Sequence, residues 1–285
     1  MQRLFSFMLA FSLCPFCLSA PAAAGAGSNL PILDLAQGLD PGGAGTVVRL
    51  SDGGVRVWVD SFGRAGATDD CLPAIGEGFM ARTEYSVLCR HLDFFSAGGR
   101  VLAIRNSNCD ISVPVTALAD NYAYSIVQCG EPKQGNCLFI FEQFVDGPTE
   151  TWYTNVYSTG CALDCYFSYT DYNVYTYFDN NASWQPGAGG YRGQFVVRNI
   201  DFKPDNMKFL FTDLSGAMGW SQQEYPMLLD FIDNPLEPLC RDLPPAATAF
   251  NGDWTGALHY RFTDVDPTAY TVISYSHGRD RTPVP

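Results

Sequence analysis

Residues 149–184 have the sequence TETWYTNVYSTGCALDCYFSYTDYNVYTYFDNNASW, and this segment decides the fold class. It holds seven of the fifteen tyrosines and two of the five tryptophans. β-branched and aromatic residues favour strands over helices, because they pack well on a pleated, half-buried surface. The segment contains no Lys, Arg or His, which disfavours contact with a phosphate backbone.

Side-chain alternation predicts which residues of this segment share a face of a sheet. Tyr153 and Tyr157 fall on one face, and Trp152 and Val156 fall on the opposite face. We predict a turn at residues 171–173, because Asp and Asn bond their own backbone and tolerate left-handed conformations. The segment would then form several short strands.

An aromatic face of the same segment is the predicted binding surface. Tyrosine presents a flat apolar ring with a hydroxyl at its rim, so a row of rings can stack on sugars or anchor a protein. The alternative is that the rings only cover a sheet, since aromatic residues are enriched in strands for packing alone. The candidate binding residues are Trp152, Tyr153, Tyr169, Tyr175, Tyr177 and Trp184.

Hairpin signals and short alternating runs extend the β assignment to the rest of the chain. A turn at 52–54 and a loop at 130–136, both rich in turn-forming residues, each separate two apolar runs. Short helical turns are predicted within 115–122 and 213–231. We therefore predict an all-β fold, or a mainly β fold with one or two short helices, as a disulfide-stabilised β-sandwich or jelly roll.

The first 24 residues have the layout of a secretory signal peptide. Arg3 is followed by an apolar run at 4–18 and by small residues at 20–24. The run is shorter than the ~20 apolar residues of a spanning helix, and no later segment is long and apolar enough to span a bilayer. The prediction is a secreted or periplasmic protein without a transmembrane segment once the leader is removed. The predicted divisions are a signal peptide at 1–24, a linker at 25–45, a single β-rich domain at 46–277 and a disordered tail at 278–285.

Cysteine usage also indicates an oxidising compartment. Two of the ten cysteines lie in the leader, which leaves eight. An even number in an exported chain favours disulfides over metal ligands. Spacing favours the local pairs Cys129–Cys137 and Cys161–Cys165. The predicted disulfide set is Cys71, Cys89, Cys109, Cys129, Cys137, Cys161, Cys165 and Cys240.

The net charge of the chain limits the classes of molecule that it is expected to bind. The net charge is −13 and the isoelectric point about 4.5. These values argue against nucleic acid and anionic lipid surfaces as partners. Loop carboxylates could hold a structural calcium ion, with Asp264 and Asp266 as candidates. No other cofactor is expected, because His91, His259 and His277 have no metal-motif spacing.

The sequence leaves three classes of function open. The leading interpretation is an exported, non-enzymatic recognition or surface-structural protein that binds a glycan or a cell-surface protein through the aromatic face. The alternative is a secreted, glycosidase-like hydrolase with Glu142 and Glu150 as paired carboxylates, because Glu142 ends a strand that looks buried. The third is a purely structural envelope component without a pocket.

Overall fold

Two antiparallel sheets packed face to face carry most of the chain that the structure, a computed structural model, describes. The described residues are 47–53, 55–65, 86–105, 107–131, 135–174, 180–187, 193–199, 208–234, 240–247 and 252–280. The elements of the first half are β1 (Val47–Asp52), β2 (Val55–Asp60), β3 (Ser86–Ser96), β4 (Leu102–Ala103), β5 (Cys109–Ala119), β6 (Tyr122–Glu131), β7 (Gly135–Asp146) and β8 (Thr151–Thr159). Those of the second half are β9 (Cys165–Val174), β10 (Asn180–Pro186), β11 (Gly193–Asn199), β12 (Lys208–Asp213), β13 (Gly219–Glu224), α1 (Met227–Ile232), β14 (Trp254–Arg261) and β15 (Thr271–Asp280).

The strand order defines a large and a small sheet. The large sheet has eight strands in the order β10-β11-β12-β15-β8-β7-β6-β5. The small sheet has five strands in the order β13-β14-β9-β3-β4, and β1 and β2 form a separate hairpin. Phe95 of the small sheet packs against Phe139 of the large sheet with ring centroids 4.9 Å apart. This arrangement confirms the predicted mainly β, sandwich-like fold.

The last two strands return to the body of the fold, one to each sheet. β14 lies between β13 and β9 in the small sheet, and β15 lies between β12 and β8 in the large sheet. The strand β15 runs to Asp280, past the predicted domain end at 277. The predicted leader and linker lie outside the described residues. None of the helices in the described part of the chain is long and apolar enough to cross a membrane.

Two local predictions are wrong, each because pairing across a sheet overrides the local signal. Residues 115–122 are not helical, since most of them extend β5, which pairs with β6. Residues 171–173 do not turn, because β9 continues through them between β14 and β3. The helical turn predicted within 213–231 is present as α1, which begins at Met227, and residues 219–224 before it form β13.

Three disulfides cross-link the described residues, and their pairing differs from the predicted local pairs. Cys129 lies opposite both Cys109 and Cys137 in the large sheet, and it is bonded to Cys109. Cys137 is bonded to Cys161, which follows β8. Cys165 begins a strand of the other sheet and is bonded to Cys240. Disulfides of this kind indicate an oxidising compartment. Cys71 and the side chain of Cys89 lie outside the described residues.

Candidate functional site

Glu142 lies on the outer face of the large sheet, on the third strand from its β5 edge. Alternation along β7 places Phe141 and Gln143 in the interior and leaves Glu142 half-buried on the other side. Its lateral neighbours are Tyr124 on β6 and Asn155 on β8. The diagonal neighbours on these strands lie within reach of long aromatic side chains.

Two tyrosines use these diagonal positions to hold both oxygens of the carboxylate. The Tyr122 hydroxyl donates to Glu142 Oε1 at 3.1 Å, and the Tyr157 hydroxyl donates to Oε2 at 2.8 Å. Both distances fall within the range at which proton transfer occurs. The arrangement fixes a carboxylate on an accessible sheet surface.

An aromatic pair and a polar pair flank the carboxylate. Phe144 and Tyr153, both half-buried, stack with centroids 4.6 Å apart and an interplanar angle of 11°. The Ser274 hydroxyl donates to Asn155 Oδ1 at 2.8 Å. Flat apolar rings beside hydrogen-bonding groups suit the apolar faces and hydroxyls of a sugar. We call this surface the Glu142 face, and it consists of Tyr122, Glu142, Phe144, Tyr153, Asn155 and Tyr157.

A second polar group lies between the two sheets. His91 Nε2 and the Tyr275 hydroxyl are 2.9 Å apart, and that hydroxyl donates to Asp93 Oδ2 at 2.7 Å. The Tyr172 hydroxyl contacts His277 Nδ1, and the two imidazole rings are 4.7 Å apart. We call these five residues, His91, Asp93, Tyr172, Tyr275 and His277, the inter-sheet cluster.

Burial keeps most of the inter-sheet cluster neutral and closed to a ligand. Burial, with a smaller effect from His91, holds the pKa of His277 well below its usual range. Burial raises the pKa of Tyr172 and Tyr275 well above the usual value for tyrosine. All five side chains are at most 2% exposed. Their positions inside the sandwich support packing and hydrogen bonding and do not present them to a substrate.

The structure separates the aromatic residues predicted to form one binding face. Trp152 is fully buried and stacks on His277 at 4.7 Å, so it cannot contact a ligand. Tyr169 is fully buried among apolar residues of the small sheet and α1. Tyr153 lies on the Glu142 face, and Trp184 stacks on Trp220 with centroids 4.5 Å apart. The predicted single binding face is therefore wrong for those of its residues that the structure describes. Tyr175 and Tyr177 lie outside the described residues.

Glu150 is not brought to Glu142 as a catalytic partner. It lies in the turn between β7 and β8 with a φ of 50°. Asp146, the last residue of β7, pairs with Thr151, so Glu142 lies four strand positions from the turn. At a rise of about 3.3 Å per residue, this backbone separation is about 13 Å. Paired carboxyl groups in glycosidases are about 5–10 Å apart, so the backbone geometry gives this predicted pair no support.

Of the two loop carboxylates in the calcium prediction, Asp266 has local hydrogen-bond partners. Asp266 Oδ1 accepts bonds from the Thr268 amide at 2.8 Å and from its hydroxyl at 2.7 Å. These bonds lower the pKa of the Asp266 carboxyl. Asp264 is exposed and has a φ of 53°. A calcium ion at these two residues stays a prediction.

Sequence reasoning missed Tyr122 on the Glu142 face and the meeting of His91 with His277. Tyr122 belongs to the preceding hairpin strand, and the diagonal pairing that brings it to Glu142 follows once the register of β6 and β7 is known. The two histidines belong to different sheets and are far apart in the sequence, so no spacing signal connects them.

No family model and no curated protein matches the chain. Solved structures do match its fold. A bacterial glucoamylase complexed with acarbose is 8% identical, with a TM-score of 0.53, over 86% of this chain and 35% of the glucoamylase chain. A galactose mutarotase related enzyme from Lactobacillus acidophilus is 8% identical, with a TM-score of 0.41, over 84% of this chain and 98% of the enzyme. An aldose epimerase homologue from C. elegans is 6% identical, with a TM-score of 0.43, over 84% and 99%.

The glucoamylase match corrects the leading functional interpretation. The likeness is one of fold, and the chain spans about a third of that protein's length. Expecting a non-enzymatic recognition or surface-structural protein was wrong on this comparison, because the matched structure is named as an enzyme. The hydrolase alternative agrees better with it.

Proposed function

We propose that this chain is a carbohydrate-active enzyme whose substrate binds on the Glu142 face. The observation that carries the proposal is the position of Glu142, a half-buried carboxylate with each oxygen held by a tyrosine hydroxyl. An ionised carboxylate can accept about four hydrogen bonds, so each oxygen keeps a free site for a sugar hydroxyl or a water. Glu142 is then the group that takes or gives a proton.

The surroundings of Glu142 favour a sugar over other small molecules. Phe144 and Tyr153 offer an apolar surface edged by a hydroxyl, and Asn155, directly opposite Glu142 on the adjacent strand, offers an amide. Sugars present apolar C–H faces together with rings of hydroxyls, and stacked rings beside polar side chains complement both. The fold likeness to a glucoamylase solved with acarbose supports the same class of substrate.

Two reactions at the anomeric centre fit a carboxylate with tyrosine partners. Opening the ring of a free aldose needs one base and one acid, which Glu142 and a tyrosine hydroxyl at 2.8 Å can supply. Hydrolysis of a glycosidic bond ordinarily needs a second carboxylate, and Glu150 is too far away to be that group. The fold likeness to the glucoamylase favours hydrolysis, and the hydrogen bonds around Glu142 favour ring opening.

Export to an oxidising compartment is part of the proposal. The three disulfides and the leader-like sequence at 1–24 support it together. An exported enzyme of this kind would meet glycans or free sugars outside the cytoplasm.

The test is an assay of the oxidised protein on both classes of substrate. Polarimetry follows the equilibration of freshly dissolved α-D-glucose and α-D-galactose, and a reducing-sugar assay follows the cleavage of maltose and longer glucans. We expect conversion in one of these assays. Glu142→Gln keeps the size of the side chain and removes its basicity, so we expect turnover to fall by about 10²–10⁴-fold.

Glu150→Gln is the matched control. This variant makes the same chemical change in the turn that follows β7, and we expect it to retain wild-type turnover. Equal losses in the two variants would contradict the assignment of Glu142. So would an unchanged rate in Glu142→Gln, or the absence of conversion of every sugar by the wild-type protein.

A further inference from the structure

A group of metal-ligating side chains converges on the far side of the small sheet, away from the Glu142 face. It consists of Cys165, Cys240 and His259, whose ligand atoms all lie within 4.8 Å of one another. In the part of the chain that the structure describes, no other group of His, Cys, Asp and Glu meets this criterion. Cys165 and Cys240 form a disulfide, and His259 Nε2 lies 3.9 Å from the Cys240 sulfur.

The fold holds two of these residues rigidly and the third less so. Cys165 begins β9, and His259 lies on the paired strand β14, two positions from the residue opposite Cys165. The imidazole stacks on Phe167 with centroids 4.4 Å apart. Cys240 belongs to the segment 240–247, which has no helix or strand. The bridge therefore ties an irregular segment to the sheet.

His259 is buried beside the bridge, with its Nε2 near the Cys240 sulfur. Zinc sites of this type use neutral imidazoles and deprotonated thiols as ligands.

We propose that reduction of the Cys165–Cys240 bridge turns this group into a Zn²⁺ site with two thiolates and one imidazole as ligands. A phosphine reductant supplies two electrons and the S–S bond breaks. The phosphine becomes a phosphine oxide by taking the oxygen of one water, whose two protons complete the two thiols. Zn²⁺ then displaces these two protons and binds the two sulfurs and His259 Nε2. A water completes the tetrahedron, as in open zinc sites with three protein ligands.

The present geometry is close to what such a site needs. With Zn–S near 2.3 Å and Zn–N near 2.0 Å, a tetrahedral ion places sulfur and nitrogen about 3.5 Å apart. The observed separation of Cys240 Sγ and His259 Nε2 is 3.9 Å. The two sulfurs must move apart by about 1.7 Å once their bond is broken. Cys240 can make this movement because no strand pairing holds it.

The exposure of Cys240 determines which disulfide a reductant reaches first, and the types of ligand atom determine which metal ion binds. Cys240 is half-buried, whereas the other five bridged cysteines are at most 8% exposed. Reductant and metal therefore reach this bridge before Cys109–Cys129 and Cys137–Cys161. Thiolate and imidazole ligands favour Zn²⁺ over Ca²⁺ and Mg²⁺, which prefer oxygen ligands. In the reduced protein the ion would hold the segment 240–247 on the sheet in place of the disulfide.

The experiment uses Co²⁺ as a spectroscopic substitute for Zn²⁺. The full-length protein is treated with a phosphine, the reductant is removed without air, and Co²⁺ is added. We expect one equivalent to give the visible bands of tetrahedral thiolate-bound Co²⁺, which Zn²⁺ then abolishes, and no bands in the oxidised protein. His259→Asn should weaken Zn²⁺ binding by roughly tenfold or more, because losing a ligand costs at least as much as losing a ligand's hydrogen-bond partner.

Variants that replace both cysteines of one bridge show which thiols of the reduced protein bind Co²⁺. Cys165→Ser with Cys240→Ser should lose the bands, whereas the matched pair Cys109→Ser with Cys129→Ser should keep them. Circular dichroism of each protein shows whether its sheets are intact, and His259→Asn provides the test if the paired variants unfold. Bands that persist in the Cys165/Cys240 variant, equal affinity in His259→Asn, or no bands in the reduced wild-type protein would each overturn the proposal.

Discussion

The strands β7 and β8 present two polar faces with different exposure. On the outer side, Glu142, Tyr153 and Tyr157 are half-buried. On the inner side, Gln143 is 2% exposed and Trp152 is fully buried. Both faces carry aromatic rings and hydrogen-bonding groups. Successive residues along each strand alternate between the two faces.

This difference shows that polar residues in a strand do not by themselves mark a site. On the neighbouring strand β15, burial between the sheets shifts the pKa of both His277 and Tyr275 far from their usual values. Perturbed groups of that kind often indicate function. Here the inner groups are closed off between the sheets, and the half-exposed Glu142 is the group that a substrate can reach.

Replacing an inner ring should have the largest effect on stability. Trp152→Ala removes a fully buried ring that stacks on His277, so we expect a loss of about 3–5 kcal/mol in the free energy of unfolding. Tyr153→Ala, the adjacent residue on the outer side, should cost only about 1 kcal/mol, because its ring stacks on Phe144 and remains half-exposed. Urea denaturation measures both, and equal costs would contradict the assignment of the two faces.

The inner face should also make stability depend on pH through His277. Its pKa is lowered in the folded state, so the unfolded chain binds the proton first as the pH falls below about 6.5. Stability is then lost on acidification, by up to about 1.4 kcal/mol per pH unit. His277→Gln should lack this contribution when unfolding is measured from about pH 7 to about pH 5.

The difference between wild type and His277→Gln in the pH dependence of the free energy of unfolding reports on His277 alone. Burial raises the pKa of Asp60 to about 6, so its folded form gains a proton first and opposes the effect of His277. Asp60 is present in both proteins, and its contribution cancels in their difference. Identical slopes for wild type and His277→Gln would show that the imidazole is not held neutral.

The smallest expected effect is that of one tyrosine on the outer face. Tyr157→Phe removes the hydroxyl that donates to Glu142 Oε2 and keeps the ring. Losing one hydrogen bond of this kind should cost about 0.5–1.5 kcal/mol, or roughly a two- to tenfold fall in kcat, with little change in unfolding. Initial rates in the assay that detects wild-type turnover measure the fall. An unchanged kcat would show that the tyrosine does not position the carboxylate.

Local patterns in the sequence were enough to predict much of the fold. Parity correctly placed Tyr153 and Tyr157 opposite Trp152 and Val156, because one face of β8 is buried along its whole length. The hairpin of β6 and β7 followed from its turn residues. Both features depend on residues close together in the chain.

Features that depend on distant residues were not predictable in the same way. Cys129 has cysteines opposite it on both neighbouring strands, and nearness in sequence favoured the wrong one. Asp171 carries a turn-forming side chain, yet it is buried and paired with strands on both sides. The candidate site was found in part, since Glu142 was selected as a strand-end carboxylate, but its tyrosine partners and its distance from Glu150 required the sheet register.

The most direct measurement is a map of the tyrosine rings by NMR, with selectively labelled protein and the sugar that the wild type converts. We predict that saturating sugar shifts the ring signals of the outer residues Tyr153 and Tyr157 and leaves those of Tyr172 and Tyr275 unchanged. Glu142→Gln supplies a protein that binds without turnover for this titration. Shifts confined to the inner tyrosines, or no shift at either outer residue, would contradict the placement of the substrate on the Glu142 face.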